Sequence, residues 1–362
     1  MSRRFRCGVV TLFVGLAGFA MTPVTGTPGQ VRAQGPARRP EASRREAAAG
    51  QALGRRAAAV TVNVFPGGFN WPSFVAQEKG FWERHGIRVT LQATPNSVAQ
   101  MTGLAEGRFD IAITAMDNIV AYVEGQGEAP IGPQPEFFAF LGSDNSFLNL
   151  VVAPDIRRFA DLRGKSLSVD ARTTGYAFVL VEMLRRNGLS EGDYHVERVG
   201  GTAQRWEALR QGKQSGTLLS APFNILAREQ RFRQLAQAST TLGPYQGNVA
   251  ATRRSWAQEN RSKVIAFIRG YVQAIDWLYD QTNRDEAIRI LLQNLPEMSP
   301  QLAEQSYAEL LDPRDGFFRK GQMSLDGLRT VLALRSRYAE PKKDLTDPIK
   351  YYDPSYSDEA LR

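Results

Sequence analysis

From residue 60 onward, short runs of apolar and β-branched residues alternate with stretches whose apolar positions recur every three or four residues. The short runs predict strands at 61–65, 87–91, 110–114 and 137–141, with helices at 72–80, 97–107 and 118–125 between them. A second series begins at 147–152. It continues with strands at 166–169, 194–199 and 216–219, one around Leu235, and a last one at 247–252. Strands that alternate with helices predict largely parallel sheets covered by helices on both faces. The final third reads as helical. Val264, Ile268, Tyr271, Ile275 and Leu278 keep the spacing of one apolar helix face. Asn283 with Glu286 resembles a capping box, Ser299-Pro300 an N-cap followed by proline, and 324–338 a last helix. The tyrosines at 351, 352 and 356 are expected to lie back along the body of the protein.

Before residue 60 this pattern is absent. Arg3, Arg4 and Arg6 precede an almost wholly apolar run, 8–21, too short to span a bilayer as a helix, and small polar residues follow. Residues 1–33 therefore read as a secretory signal peptide, with Val31-Arg32-Ala33 or Val24-Thr25-Gly26 as the cleavage region. Cys7, the only cysteine, precedes the apolar run, so a lipid anchor is not expected and the mature chain would carry no thiol. Residues 34–59 are rich in Ala, Arg, Gly and Pro with almost nothing to bury, and read as a disordered tether.

The net charge of +8 changes meaning once it is located. Of the 45 basic residues, four lie in 1–33 and six in 34–59, against two of the 37 acidic ones, so 35 of each remain from Val60 on. A neutral folded part carries no electrostatic footprint for nucleic acid. Two distant histidines, His85 and His195, make neither a zinc site nor a nucleophile–base pair. No phosphate-loop or dinucleotide motif is present, and Gly200-Gly201-Thr202 is too short a glycine signal to be one. No cofactor and no metal are expected.

The stretch 161–177 carries the candidate chemistry. A strand at Ser166–Val169 feeds a helical pattern that resumes at Tyr176, with Thr173, Thr174 and Gly175 between them. Free N–H groups at such a helix start favour an anion, although Thr173 or Thr174 is equally an N-cap. In an open α/β sheet, ligands gather beyond the carboxyl ends of the strands. The other loops there supply further candidates: Phe69, Asn70 and Trp71 after the first strand, Asn96 and Ser97, Met116 and Asp117, Ser220 and Phe223, and Tyr245 with Asn248. Asp117 is either a helix cap or a carboxylate for a ligand amine or ring N–H.

Four segments together resemble a known family. Phe74-Val75-Ala76-Gln77-Glu78-Lys79-Gly80-Phe81-Trp82 leading to Gly86-Ile87-Arg88-Val89 is similar to the opening signature of substrate-binding proteins of ABC importers, in the group for sulfonates, nitrate, taurine and pyrimidine precursors. Gly107-Arg108-Phe109-Asp110-Ile111-Ala112, the segment 159–165, and Leu209-Arg210-Gln211-Gly212-Lys213 resemble the three signatures that follow, in order. The resemblance implies a two-lobed α/β fold of the type II periplasmic-binding-protein kind. Each lobe would be a mostly parallel sheet flanked by helices, with two crossings between lobes near 143–147 and 243–248. Lobe one would hold 60–142 and 249–362, and lobe two 143–248.

The function so implied is capture of a small organic molecule, anionic or zwitterionic, and its delivery to an ABC permease in the inner membrane. The protein would be a periplasmic monomer and not an enzyme. A sensor partner that presents ligand to a receptor, and a pyrimidine-synthase-like enzyme on the same fold, are the alternatives. The cysteine-rich motif and site histidine expected of that enzyme are absent.

Overall fold

The computed structural model describes residues 57–362. The expected signal peptide and the tether as far as residue 56 lie outside them. Two five-stranded sheets organise the chain. In the first, β1 (Ala58–Val64) lies between β2 (Ile87–Ala93) and β3 (Ile111–Ala115), all parallel. Beyond β3 come β10 (Asn248–Arg253) and then β4 (Phe137–Gly142). In the second, β6 (Ser166–Val169) lies between β7 (His195–Arg198) and β8 (Gly216–Leu219), with β5 (Asn149–Val152) and β9 (Arg233–Gln237) beyond β8. The two orders are the same. In each sheet the strand that runs against its neighbours, β10 or β5, is the one arriving from the other lobe. β3, β4 and β5 are buried along almost their whole length, as strands covered on both faces must be.

β1 begins at Ala58, so Ala58 and Ala59 belong to the sheet and not to the tether that composition alone assigned them to. Helices fill the intervals: α1 (Trp71–Glu78), the short α2 (Phe81–Arg84), α3 (Ser97–Ala105) and α4 (Met116–Val123) on lobe one. α5 (Gly175–Arg186), α6 (Thr202–Arg210), α7 (Phe223–Glu229) and α8 (Ala238–Leu242) follow on lobe two. The last third contains α9 (Arg254–Glu259), α10 (Arg261–Tyr279), α11 (Arg284–Asn294), α12 (Pro300–Leu310), α13 (Leu325–Tyr338) and α14 (Ser355–Ala360).

The signature at 74–89 has a packing reason. Fully buried Trp82 stacks on Phe267 at 5.3 Å and donates its indole N–H to the Phe267 carbonyl at 3.0 Å, which seats α10 against lobe one. Ser299 and Ser324 cap α12 and α13 through their hydroxyls. Asn283 makes no such cap. Its amide donates to the Trp277 carbonyl, and the carboxylate of Asp280 caps the turn before α11 instead. The tyrosine-rich end does fold back, with Tyr351, Tyr352 and Tyr356 buried and Tyr352 bridged to Ala139 of β4. α13 packs against both α4 of lobe one and α5 of lobe two.

The chain passes between the sheets twice, after β4 and before β10, and the two passages touch. Asp144, wholly buried, accepts the backbone N–H groups of Ser146 (2.8 Å) and Asn248 (3.0 Å) and the Asn248 side-chain amide. A Cβ at Gly247 would lie 2.3 Å from the Asp144 carboxylate, so only glycine allows the strands so close. Ser146 and Phe147 both hold positive φ, 85° and 51°, a strained pair in the first passage.

Candidate functional site: the interlobe cleft

Loops after the parallel strands of both sheets meet around a small cavity of about 50 Å³. β1 contributes Phe65 and Phe69, and the β3–α4 junction Ala115 and Asn118. The loop after β6 gives Asp170, Thr174, Gly175 and Tyr176. Gly201, Thr202 and Arg205 follow β7, Ser220 follows β8, and the two passages add Ser146, Leu148 and Asn248. The lobes are in contact around it. Gly68 N–H donates to the Ala221 carbonyl (3.1 Å), Gly201 N–H to the Pro95 carbonyl (3.1 Å), and Ser97 N–H to Asp170 Oδ2 (3.0 Å).

The start of α5 lies on the cavity wall, but its first N–H is already used. The N–H of Gly175 donates to Asp117 Oδ2, from lobe one. Asp117 is itself paired with Arg335 of α13 at 2.7 Å, and both side chains are buried. Arg335 also donates to the Thr173 carbonyl (3.2 Å) and to Gln126, and its guanidinium lies 5.2 Å from the Phe178 ring. Burial pushes the Asp117 carboxyl up, and the Arg335 guanidinium beside it pulls it back down. At Gly175 the expected anion is thus replaced by the protein's own carboxylate. A Cβ at position 175 would come within 2.2 Å of that carboxyl carbon, which is why glycine stands there.

Unsatisfied polar groups lie elsewhere on the wall. Arg205, 3% exposed, donates to the carbonyls of Gly200 (2.9 Å) and Leu218 (3.1 Å) and to the Thr202 hydroxyl (3.2 Å). Its Nε has no partner, and it is in no ion pair among the described residues. Burial draws the guanidinium pKa down and the Asp170 charge raises it, and an arginine remains protonated through such shifts. Asp170, 8% exposed, gives Oδ2 to Ser97 and keeps Oδ1 unpaired. The Tyr176 hydroxyl and Ser146 Oγ are also unpaired. Burial holds the Tyr176 phenol well above its usual pKa, so it stays protonated and able to donate.

Of the residues picked from sequence, Phe69, Thr174, Tyr176, Ser220 and Asn248 stand on the cavity wall. Others do not. Trp71 is fully buried, donates to the Ala287 carbonyl (3.0 Å) and packs edge-on against Tyr307, a core role that its place after a loop concealed. Met116 is buried core, and Asn70 turns its amide back to the Phe65 and Gly67 carbonyls. Asn96 caps α3 through Ala99 N–H, and Ser97 contributes only its backbone to Asp170. Thr173 meets Arg335 through its carbonyl, and Thr174 donates its hydroxyl to the Ala171 carbonyl (2.9 Å), making no side-chain cap. Phe223 packs with the Trp206 cluster. Tyr245 is buried beside Tyr176, ring centroids 6.3 Å apart.

Arg205 and Asp170 were not among the residues picked. The Gly200-Gly201-Thr202 loop, dismissed as a nucleotide signal, is cavity wall, and the arginine three residues past it was the available sign.

Two lobes of identical strand order, joined by two passages around a cleft, define the type II periplasmic-binding-protein fold. Residues 70–284, more than half of the chain, match the family model described as "NMT1/THI5 like", and the chain belongs to that family. Among solved structures, the alkanesulfonate-binding protein SsuA of Xanthomonas axonopodis pv. citri, bound to MOPS, is 16% identical. It has a TM-score of 0.65 and covers 81% of this chain and 96% of its own. The periplasmic nitrate-binding protein NrtA of Synechocystis PCC 6803 is 12% identical, with TM-score 0.67 and coverage of 84% and 88%. The desulfurization enzyme DSZB shares the fold at 12% identity, TM-score 0.56, over 84% and 99%. No curated protein sequence matches the chain. A further neighbour, from Staphylococcus aureus, is described as the ligand-binding component of an ABC-type import system, and no helix among the described residues of this chain is long and apolar enough to cross a membrane.

Proposed function

We propose that this protein is the extracytoplasmic solute receptor of an ABC importer, which captures a small organic molecule between its lobes and hands it to the permease. The observation that carries this reading is the cavity itself. It lies where the loop ends of both sheets converge, it is lined by aromatic rings and a few unsatisfied polar groups, and the lobes hydrogen-bond to each other around it. Opening and closing would turn about the two passages at 143–147 and 243–248, where strained Ser146 and Phe147 meet the Asp144 network. Binding without catalysis suits a wall whose described residues include neither histidine nor cysteine. A monomer exported by a cleaved signal peptide completes the proposal.

The test is native mass spectrometry of the protein isolated from the periplasm of its own host. One non-covalent adduct, released unchanged on denaturation, is the expected result, and scattering should show a larger radius of gyration once the adduct is dialysed away. Conversion of the released molecule on incubation with fresh protein would show an enzyme instead. An adduct-free protein whose radius responds to nothing in a periplasmic extract would end the receptor reading.

A further inference from the structure

The cleft holds two opposite charges that the protein leaves unpaired with each other. Arg205 and Asp170 both stand on the cavity wall and are both nearly buried, yet no ion pair joins them. Each has one unsatisfied atom, an N–H donor on Arg205 and a carboxylate oxygen on Asp170. Buried charges without partners are costly, and proteins tolerate them where something else completes the set. Of the other carboxylates nearby, Asp117 is answered by Arg335 and Gly175, and Asp144 by the N–H groups of Ser146 and Asn248.

Resting on the receptor reading above, we infer that the solute is a net-neutral zwitterion, its anionic group taken by Arg205 and its ammonium or protonated, cationic ring N–H by Asp170. A plain anion would satisfy Arg205 but bring a second negative charge into a poorly solvated cavity beside Asp170. A plain cation would meet the reverse penalty at Arg205. Only a molecule with both groups answers both unpaired atoms. The Tyr176 hydroxyl adds a donor, and Ser146 Oγ takes either role. The rings of Phe65, Phe69 and Tyr176 form the apolar part of the wall, against which the body joining the two groups would pack.

The wild-type protein, freed of solute by unfolding and refolding, is tested by thermal shift and calorimetry against matched probes. These are ω-amino carboxylates and ω-amino sulfonates of two to five carbons, the same acids without the amine, and the same amines without the acid. Zwitterions alone should bind. Asp170→Asn turns the free acceptor into a donor while keeping an oxygen for Ser97. It should weaken the best zwitterion by about ten-fold or more and strengthen the matching plain acid. Arg205→Lys, which keeps the charge but loses the fixed fork, should weaken both acid-bearing classes. Arg205→Gln serves as the stronger variant, with circular dichroism showing whether it folds.

A plain acid that binds the wild type as tightly as its amino counterpart overturns the assignment. So does a preference unchanged in Asp170→Asn. If no probe of any class binds, the solute is not a small zwitterion of this kind. A host-derived adduct seen by native mass spectrometry would then leave the receptor reading standing on its own.

Discussion

Two helix starts in lobe two look alike in sequence and behave differently in the fold. α5 begins after β6 at Thr-Thr-Gly, and α6 begins after β7 at Gly-Gly-Thr. Either loop offers free N–H groups and a dipole that favours negative charge. At α5 that charge is supplied internally, by Asp117 reaching across from lobe one and held by Arg335 of α13. At α6 the Gly201 N–H is used by the Pro95 carbonyl and the Gln204 side chain, while Arg205 in its first turn, a wall residue, keeps its buried Nε without a partner. An anion-favouring helix start is therefore a ligand site only if nothing else in the fold reaches it. Here both starts touch lobe one and line the cavity, but only the first is met by a carboxylate from the other lobe.

The largest effect should come from breaking the internal occupant. Arg335→Met leaves Asp117 buried without its counterion, and a loss of about 3–5 kcal/mol in urea-unfolding free energy is expected. Asp117→Asn combined with Arg335→Met should recover part of it. A loss under about 1 kcal/mol for the single change would mean that the pair is not what closes the α5 start.

Gly175→Ala comes next. Its methyl group would meet the Asp117 carboxylate, and forced overpacking of this kind costs about 1–3 kcal/mol. Because the contact spans the lobes, scattering should also show a wider average opening. A parent-like melting temperature and radius would contradict the geometry.

Acid titration sharpens the same side of the comparison. Glu182 of α5 accepts hydrogen bonds from Arg185, Arg186, Arg337 and Tyr338, with those from Arg185 foremost in holding its carboxyl well below the usual range. At Glu124, which closes α4, burial pushes upward but the bonds from Lys343, Lys350 and Tyr351 outweigh it and hold the group at about 2. Both carboxyls are depressed on folding. Their contribution is therefore complete above the ordinary Glu value near 4.5 and is lost as pH falls toward about 2 for Glu124. Unfolding free energy measured from pH 6 to 2 should drop below about pH 4.5 in the parent and less steeply in Glu124→Gln and Glu182→Gln. Equal slopes in all three would remove these ties between α13, the tail and the two lobes.

The smallest effect is expected at Thr174→Val. The hydroxyl serves only the Ala171 carbonyl, so about 0.5–1.5 kcal/mol of stability should go. Solute affinity should change far less than in Asp170→Asn. A loss of binding comparable to that of Asp170→Asn would return the anion site to the α5 start.

Strand and helix positions were legible because they follow from local periods. The apolar runs at 87–91, 137–141 and 216–219 fall where β2, β4 and β8 form, and Ser299 and Ser324 cap the helices that their neighbours announce. Phe69, Tyr176, Ser220 and Asn248 stand on the cavity wall because loops at strand ends converge in such a fold. Trp71 and Asp117 were misplaced because a side chain in the first turn of a helix has two faces to choose from. The Ala287 carbonyl and Arg335 make that choice, and both lie more than two hundred residues away in the chain. Arg205 and Asp170 passed unnoticed for the same reason. A charge is remarkable only when it is buried and unanswered, and burial and pairing are set by what tertiary packing brings alongside. The sequence by itself determined the alternation that builds two mostly parallel sheets, each with one antiparallel strand, and the loops at their strand ends. The tertiary structure decided which of those loops the protein meets with its own charges and which keep unpaired polar groups.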